Sequence, residues 1–378
     1  MTIYFVMIAA VLIIPLACAK IRKEETRNKT ILLLSVAVVF FVMACKASSV
    51  GRDIYSYELL YERIKTCSWK DYDISWMEWG YEFLTMVFTH IFHASFQTFM
   101  VCVYLFVFVS YYFFIRRYSR DYTSSVIIYI CFTFFTFDTS AVRTMIGVTI
   151  CLFAVPFAEK KGILNTIIFV AITLVAAQIH QSAYIFFAVY FVIKHKFSIK
   201  TAVFYFIVPI LLFLFRSQLY TQINLHLKTV EESDVAIGGN VLIYIFSIAF
   251  TAVIWFLHGR DKGSEKLILQ TSDCMSVGDT VKDRAKSTFF NDSGLAMRVI
   301  YAGLIVQIFC VGTVLTRMAE YMIIFILILV PNSLARLNDR SRIIAKWLLY
   351  ILAIIYFWRF SLVGNDLDIV PYRFFWNV

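Results

Sequence analysis

Charge is what this chain has least of. Asp, Glu, Lys and Arg make up 16% of its residues, against 61% hydrophobic and 18% aromatic, whereas a soluble globular domain averages about 25% charged. Such a chain has too little polar surface to wet, so it reads as an all-α polytopic integral membrane protein. Proline is scarce too, five in 378 residues, which leaves long apolar runs free to stay helical. The eight cysteines stand singly, with no C-x-x-C and no histidine at ligand spacing, which argues against zinc and against a disulfide scaffold. Neither a P-loop nor a G-x-G-x-x-G fingerprint occurs, so no nucleotide or other cofactor is implied. Lys and Arg are missing before the first apolar run, TIYFVMIAAVLIIPLACA, and five follow it. A signal peptide carries its charges first, so this segment is expected to be retained. The net charge of +10 is not laid out as a basic stripe with interleaved aromatics, so no nucleic acid is expected. A positive-inside bias of the loops explains it instead.

What is present is a series of mostly apolar runs, at about 2–18, 31–45, 96–115, 123–138, 141–158, 162–179, 181–193, 201–217, 240–257, 296–314, 315–331 and 346–362. Their number predicts about 12 transmembrane helices in a single membrane domain, 1–378. With the N-terminus outside and strict alternation, the cytoplasmic segments collect 24 of the 35 Lys and Arg but 11 of the 25 acids, as the positive-inside rule asks. Both termini are then extracytoplasmic. The alternation requires that YEFLTMVFTHIFHA, 80–93, does not cross, so it is read as one interfacial or re-entrant helix on the outer face. It closes an extracytoplasmic loop at 46–95. The other long loop, 258–298, is cytoplasmic and carries mixed charge; it reads as a solvated linker.

The central stretch is DTSAVRTMIG…AEKKG…VAAQIHQSA, two apolar runs joined by a short basic turn near residue 160. Arg143 lies about 17 residues before that turn and His180 about 20 after it, or roughly 26 and 30 Å at a helical rise of 1.5 Å per residue. A helical hairpin therefore brings a fixed cation and an imidazole to the same outer level. An arginine inside a membrane span is a functional-site candidate by default. Arg143 and Arg317 are so read, each beside an outer turn and polar neighbours (Thr144; Thr316 and Glu320), whereas Arg216 and Arg359 read as arginines snorkelling to the headgroups. Asp71-Tyr72-Asp73 and Asp366-Leu367-Asp368 have a D-x-D spacing used by nucleotide-sugar transferases, but both fall outside and are taken as chance. His90 and His93 share a helix face without a third ligand, so no metal site is read there. The outer loop is rich in Tyr, Trp, Asp and Glu, and aromatic faces with carboxylates suit sugars. An aromatic belt at the interface would look the same.

In order along the chain, GRDIYSYELLY, EWGYEFL, AVRTMIG, QIHQSA, LTRMAEY and IVPYRF resemble the EpsG family of bacterial polysaccharide polymerases, akin to Wzy O-antigen polymerases. That resemblance implies an inverting, metal-independent glycosyltransferase on the outer face of the bacterial inner membrane. It would join oligosaccharide repeat units carried on undecaprenyl diphosphate, in the company of a flippase and a chain-length regulator. The family pattern maps to Gly51 and Asp53, to Glu78, Gly80 and Tyr81, and to Arg143, His180 and Arg317. One departure is Thr144, where the family often has glutamine.

The chemistry of the residues fits that implication. Breaking a glycosyl–diphosphate bond develops negative charge on the leaving phosphate, which arginine forks match bidentately. The acceptor hydroxyl needs a base, and His180, Asp53 or Glu78 could serve. Rival readings are a flippase or secondary transporter, which should hold its charges at the midplane between repeated halves, and a membrane O-acyltransferase, which should face a cytoplasmic donor.

Overall fold

In a computed structural model the chain is helical, with one isolated antiparallel bridge, Lys46 to Phe374, among the described residues. These are residues 1–68, 77–195, 293–310 and 314–377, together with 207, 211, 214, 215 and 218. The run 240–257, nearly all of 201–217, the loop 258–292, Asp71-Tyr72-Asp73 and Arg216 lie outside them. Six helices among the described residues are long and apolar enough to cross a membrane: Thr2–Lys20, Glu24–Ala44, Phe96–Tyr118, Val142–Glu159, Arg317–Leu334 and Asp339–Val363. Shorter apolar helices cover Tyr122–Cys131, Ile163–Ile179, Gln181–Lys194 and Gly294–Gln307. The chain is thus a multi-pass membrane protein. It divides into two compact units, residues 1–184 with 327–378, and residues 185–326.

In the first unit α1 (Thr2–Ala17), α2 (Glu24–Ala44), α5 (Phe96–Tyr118), α6 (Tyr122–Cys131), α8 (Val142–Glu159) and α9 (Ile163–Ile179) pack side by side. Ser95 caps α5 by accepting from the Thr98 N–H, and Asp121 caps α6 by accepting from the Ser124 N–H. These caps satisfy donors that a helix start leaves open. The run expected at 123–138 is not one helix. It breaks at Thr133, which takes φ 64, and resumes as α7 (Phe134–Ser140). The link to the next run is not exposed: Asp138, Thr139 and Ser140 are all buried, with the Asp138 carboxylate accepting from the Tyr111 and Tyr129 hydroxyls at 2.8 Å.

The outer loop holds more helix than its composition suggests. Ile54, Tyr57, Tyr61 and Ile64 are buried along one face of α3 (Ile54–Thr66), an amphipathic spacing. The segment expected at 80–93 is α4 (Trp79–Met86) running into a π-turn, Val87–Ile91. The Tyr61 hydroxyl donates to the Ala94 carbonyl and its ring meets Phe96 and Phe99, which seats α3 at the N-terminal end of α5. The chain after α14 (Asp339–Tyr356; α10 to α13 are given below) returns to the same end. Gly51 and Arg52 N–H groups donate to the Asp368 and Leu367 carbonyls, Ala47 N–H to Arg373, and the Tyr4 hydroxyl to Ile369 at 2.6 Å. The expected outer tail is therefore a strap over loop 45–53.

The second unit contains α10 (Phe187–Lys194), α11 (Ser293–Cys310), a 3-10 turn at Val314–Ala319 and α12 (Glu320–Ile323). Gly303 brings α11 so close to α12 that a Cβ there would lie 2.8 Å from Met322 Cβ. Arg298 ties α11 to the end of α10 by donating to the His195 carbonyl at 2.8 Å. In the first unit, which resumes at residue 327, α13 (Ile326–Leu334) leads into α14.

Candidate functional site

Three chemically active side chains meet where α4 begins. Glu78 is the N-cap of α4, Arg143 is the second residue of α8, and His180 is the C-cap of α9. The hairpin of α8 and α9 carries the last two to one level, as helical rise requires. Glu78 joins them: its Oε2 accepts from Arg143 Nη1 at 2.5 Å and its Oε1 lies 2.7 Å from His180 Nδ1. The Gln181 N–H donates to the same Oε1 at 3.0 Å.

Electrostatics fixes the protonation pattern. Burial pushes the Glu78 carboxyl up, but the hydrogen bonds from His180 and the Gln181 N–H, with the charge of Arg143, outweigh it and hold the group at about 2. An ionised carboxylate only accepts, so His180 Nδ1 must be the donor, and a neutral imidazole then carries its lone pair on Nε2. That nitrogen makes no hydrogen bond to a described residue. Nor does Arg143 Nη2, since the Arg143 Nε donates to the Tyr57 hydroxyl at 3.3 Å and Nη1 to Glu78. The side chains of Glu78, Arg143 and His180 are 10%, 17% and 19% exposed, dry enough to strengthen charge pairing and open enough to admit a ligand.

The surroundings explain the positions. A Cβ on Gly80 would lie 2.7 Å from the Gln178 carbonyl oxygen, so only glycine lets α4 come close enough to α9 for Glu78 to reach His180. Gly51 adopts φ +107, and a Cβ there would lie 2.4 Å from the Thr139 carbonyl oxygen; the loop is pressed onto the end of α7. The next turn places Asp53 at the N-cap of α3, its N–H donating to Ser140 Oγ at 3.1 Å. Tyr81 does not face outward as a sugar-binding residue would. It is 1% exposed and packs edge-on against Tyr57 at 5.7 Å, supporting the ring over which Arg143 sits at 5.9 Å. Trp79, beside Glu78, is 65% exposed and stacks on Phe83 at 5.3 Å.

The remaining sequence candidates lie on other elements. Arg317 lies in the 3-10 turn of the second unit. Both His90 nitrogens are engaged, with Thr89 Oγ1 at 2.8 Å and the Cys67 carbonyl at 2.7 Å, so this ring pins the end of α3. Arg359 is exposed, as a snorkelling side chain would be. Sequence reasoning missed Tyr57 as a partner of Arg143 and missed Glu78 as the link between arginine and histidine. The only available signal for Tyr57 was its three-residue spacing from Ile54 on an amphipathic face.

The model of the EpsG family matches residues 29–374 of the chain. No curated protein and no solved structure matches it.

Proposed function

The chain belongs to the EpsG family, polysaccharide polymerase-like membrane proteins, and from that premise we propose that it joins undecaprenyl-diphosphate-linked oligosaccharide repeat units into a surface polysaccharide. The observation that carries this reading is one carboxylate, Glu78, bound at once to an arginine and to an imidazole whose Nε2 makes no hydrogen bond to a described residue. In the proposed step the acceptor-sugar hydroxyl gives its proton to His180 Nε2 while its oxygen attacks the anomeric carbon of the donor. The anomeric C–O bond breaks on the opposite face, inverting that carbon and releasing undecaprenyl diphosphate. Glu78 stabilises the imidazolium through Nδ1–H, the part a buried carboxylate plays toward a catalytic histidine. Arg143 offers Nη2 to the leaving phosphate, whose charge grows as the bond breaks. This assignment makes His180 the base and Glu78 its positioning residue, ahead of Asp53. The exposed Trp79 face beside Glu78 suits a pyranose ring.

No metal is assigned a step, because fixed guanidinium charge can meet the phosphate charge. Arg317 is proposed as a second phosphate ligand and Gly51 as part of the binding loop. The proposed topology is about 12 crossings of a bacterial inner membrane with the cluster and both termini outside. A flippase and a chain-length regulator are the proposed working partners. The test is deletion of the gene followed by gel separation of surface glycan by length, with lipid-linked units assayed on each leaflet. Single repeat units that reach the outer leaflet but are not joined support the reading. Units held on the inner leaflet identify a flippase and overturn it.

A further inference from the structure

We propose that Lys46 is a proton-sensitive latch beneath the loop that carries Gly51 and Asp53, a positioning residue that holds the loop closed as a neutral amine and lets it open when charged. Its bearing on substrate rests on the proposed role of Gly51 in binding; its bearing on the loop does not. Lys46 follows the end of α2, and the strap fixes its backbone. It bridges to Phe374, with the Ala47 N–H donating to the Arg373 carbonyl and the Phe375 N–H to the Cys45 carbonyl. Held between those pairs, the lysine is buried, 5% exposed.

The buried amine has one acceptor among the described residues. Its Nζ donates to the Val50 carbonyl at 2.7 Å, whereas an ammonium carries three donors. The nearest other support is the face of Tyr104, 5.7 Å from Nζ, which recovers only a small part of what a charge loses on leaving water. Burial therefore disfavours the charged form and brings Lys46 from 10.5 down to about 7. A neutral amine still donates one N–H to Val50. That tie sets the plane of the Val50–Gly51 peptide, whose N–H donates to the Asp368 carbonyl. Beyond it the loop is seated on α7, through Gly51 against the Thr139 carbonyl and the Asp53 N–H on Ser140 Oγ.

The elements around Lys46 bring other titratable groups, and none of those described forms an ion pair with it. On its own loop Arg52 pairs with Asp368 of the strap at 3.6 Å, both exposed, and Asp53 caps α3. Cys45 stays neutral, since burial pushes its thiol up. From the strap, Tyr372 donates its hydroxyl to the Val42 carbonyl, and Arg373 could add only like charge. From α1, Tyr4 donates to the Ile369 carbonyl. On α7, Asp138 is held by Tyr111 and Tyr129. Opening the loop puts Lys46 in water, where it holds its proton up to about 10.5, while in the closed loop it holds it only below about 7. The open state therefore gains as pH falls, about tenfold per pH unit down to about 7, and gains nothing further below that, where both states are charged.

The test is hydrogen exchange read by mass spectrometry on the full chain in detergent, for peptides covering 46–54, at about pH 6, 7, 8 and 9, with each rate corrected for the chemical exchange rate at that pH. In wild type the opening of the loop should fall about tenfold per unit from pH 7 to 9 and stay level from 6 to 7. Lys46→Met fills similar space without a proton site and should flatten that slope. Lys65→Met, an exposed lysine of α3 paired with Glu62, should keep it. The melting temperature of wild type relative to Lys46→Met should rise between about pH 7 and 10, the window in which only the unfolded chain holds the proton. If Lys46→Met does not fold, Lys46→Gln is read in its place, which keeps a donor for Val50 and cannot titrate. A flat wild-type profile, a slope that survives without Lys46, or a slope lost equally in Lys65→Met overturns the latch. Since exchange is read on the purified chain, that result would leave the polymerase reading standing, and a failed polymer assay would leave the latch standing.

Discussion

At Glu78 three donors converge on two carboxylate oxygens, and the consequences can be separated by substitution. Arg143→Lys keeps the charge but loses the fork that reaches Tyr57 and Glu78 together and, as proposed, a phosphate. Charged hydrogen bonds are worth about 1.5–3 kcal/mol, so polymer formation in a membrane assay should fall roughly 10- to 100-fold. His180→Gln keeps a polar side chain but removes the proposed base, for a loss of about 10²- to 10⁴-fold at unchanged protein level. Near-normal polymer from that strain would take the histidine out of catalysis. Glu78 also gives a pH signature. Its folded-state value is depressed from 4.5 to about 2, so its contribution to stability is fully present above pH 4.5 and is lost as pH falls toward 2. The melting temperature of wild type should therefore exceed that of Glu78→Gln by a constant margin above pH 4.5, and the margin should close below it.

Among the elements, the contact of α4 with α9 decides whether the site exists. Gly80→Ala places a methyl group 2.7 Å from the Gln178 carbonyl oxygen, backbone that cannot swing aside, so α4 must move and carry Glu78 away from His180. Activity should drop by about the same factor as in Glu78→Gln, since misplacement by about 1 Å can cost on the order of 10²-fold, while the protein still inserts. Full activity in Gly80→Ala would show that Glu78 need not hold His180. α3 shows a different logic. It has no run long enough for a membrane, yet Tyr57 and Tyr61 bury against the bundle and its N-terminal turn is held on α7 through Ser140. An amphipathic helix in a loop of charged and aromatic residues is easily read as irregular, because its apolar face is short and its partners, Tyr81, Phe96, Phe99 and Ser140, lie on other elements.

For the whole molecule, the proposed orientation is read by reporter fusions. Alkaline phosphatase fused after residue 378 should be active, and fused after residue 120 inactive, if the Glu78 cluster is extracytoplasmic. The strap formed by residues 367–375 adds a condition: fusions that displace it should loosen the loop bearing Gly51 and Asp53, because the Asp368 and Leu367 carbonyls accept from that loop.

Composition alone determined that this chain lives in a membrane, because too few charges exist to hydrate its surface. Helical rise alone determined that Arg143 and His180 share a level, because both runs start from one turn. Neither could decide which carboxylate stands between them. Asp53 and Glu78 were equal candidates by type, and only the close approach at Gly80 puts Glu78, not Asp53, on His180 Nδ1. Nor could spacing decide that Tyr81 turns inward, that the 123–138 run breaks at Thr133, or that the tail returns over loop 45–53. Those outcomes depend on partners far along the chain, and side-chain identity does not encode the distance between two helices until both are packed.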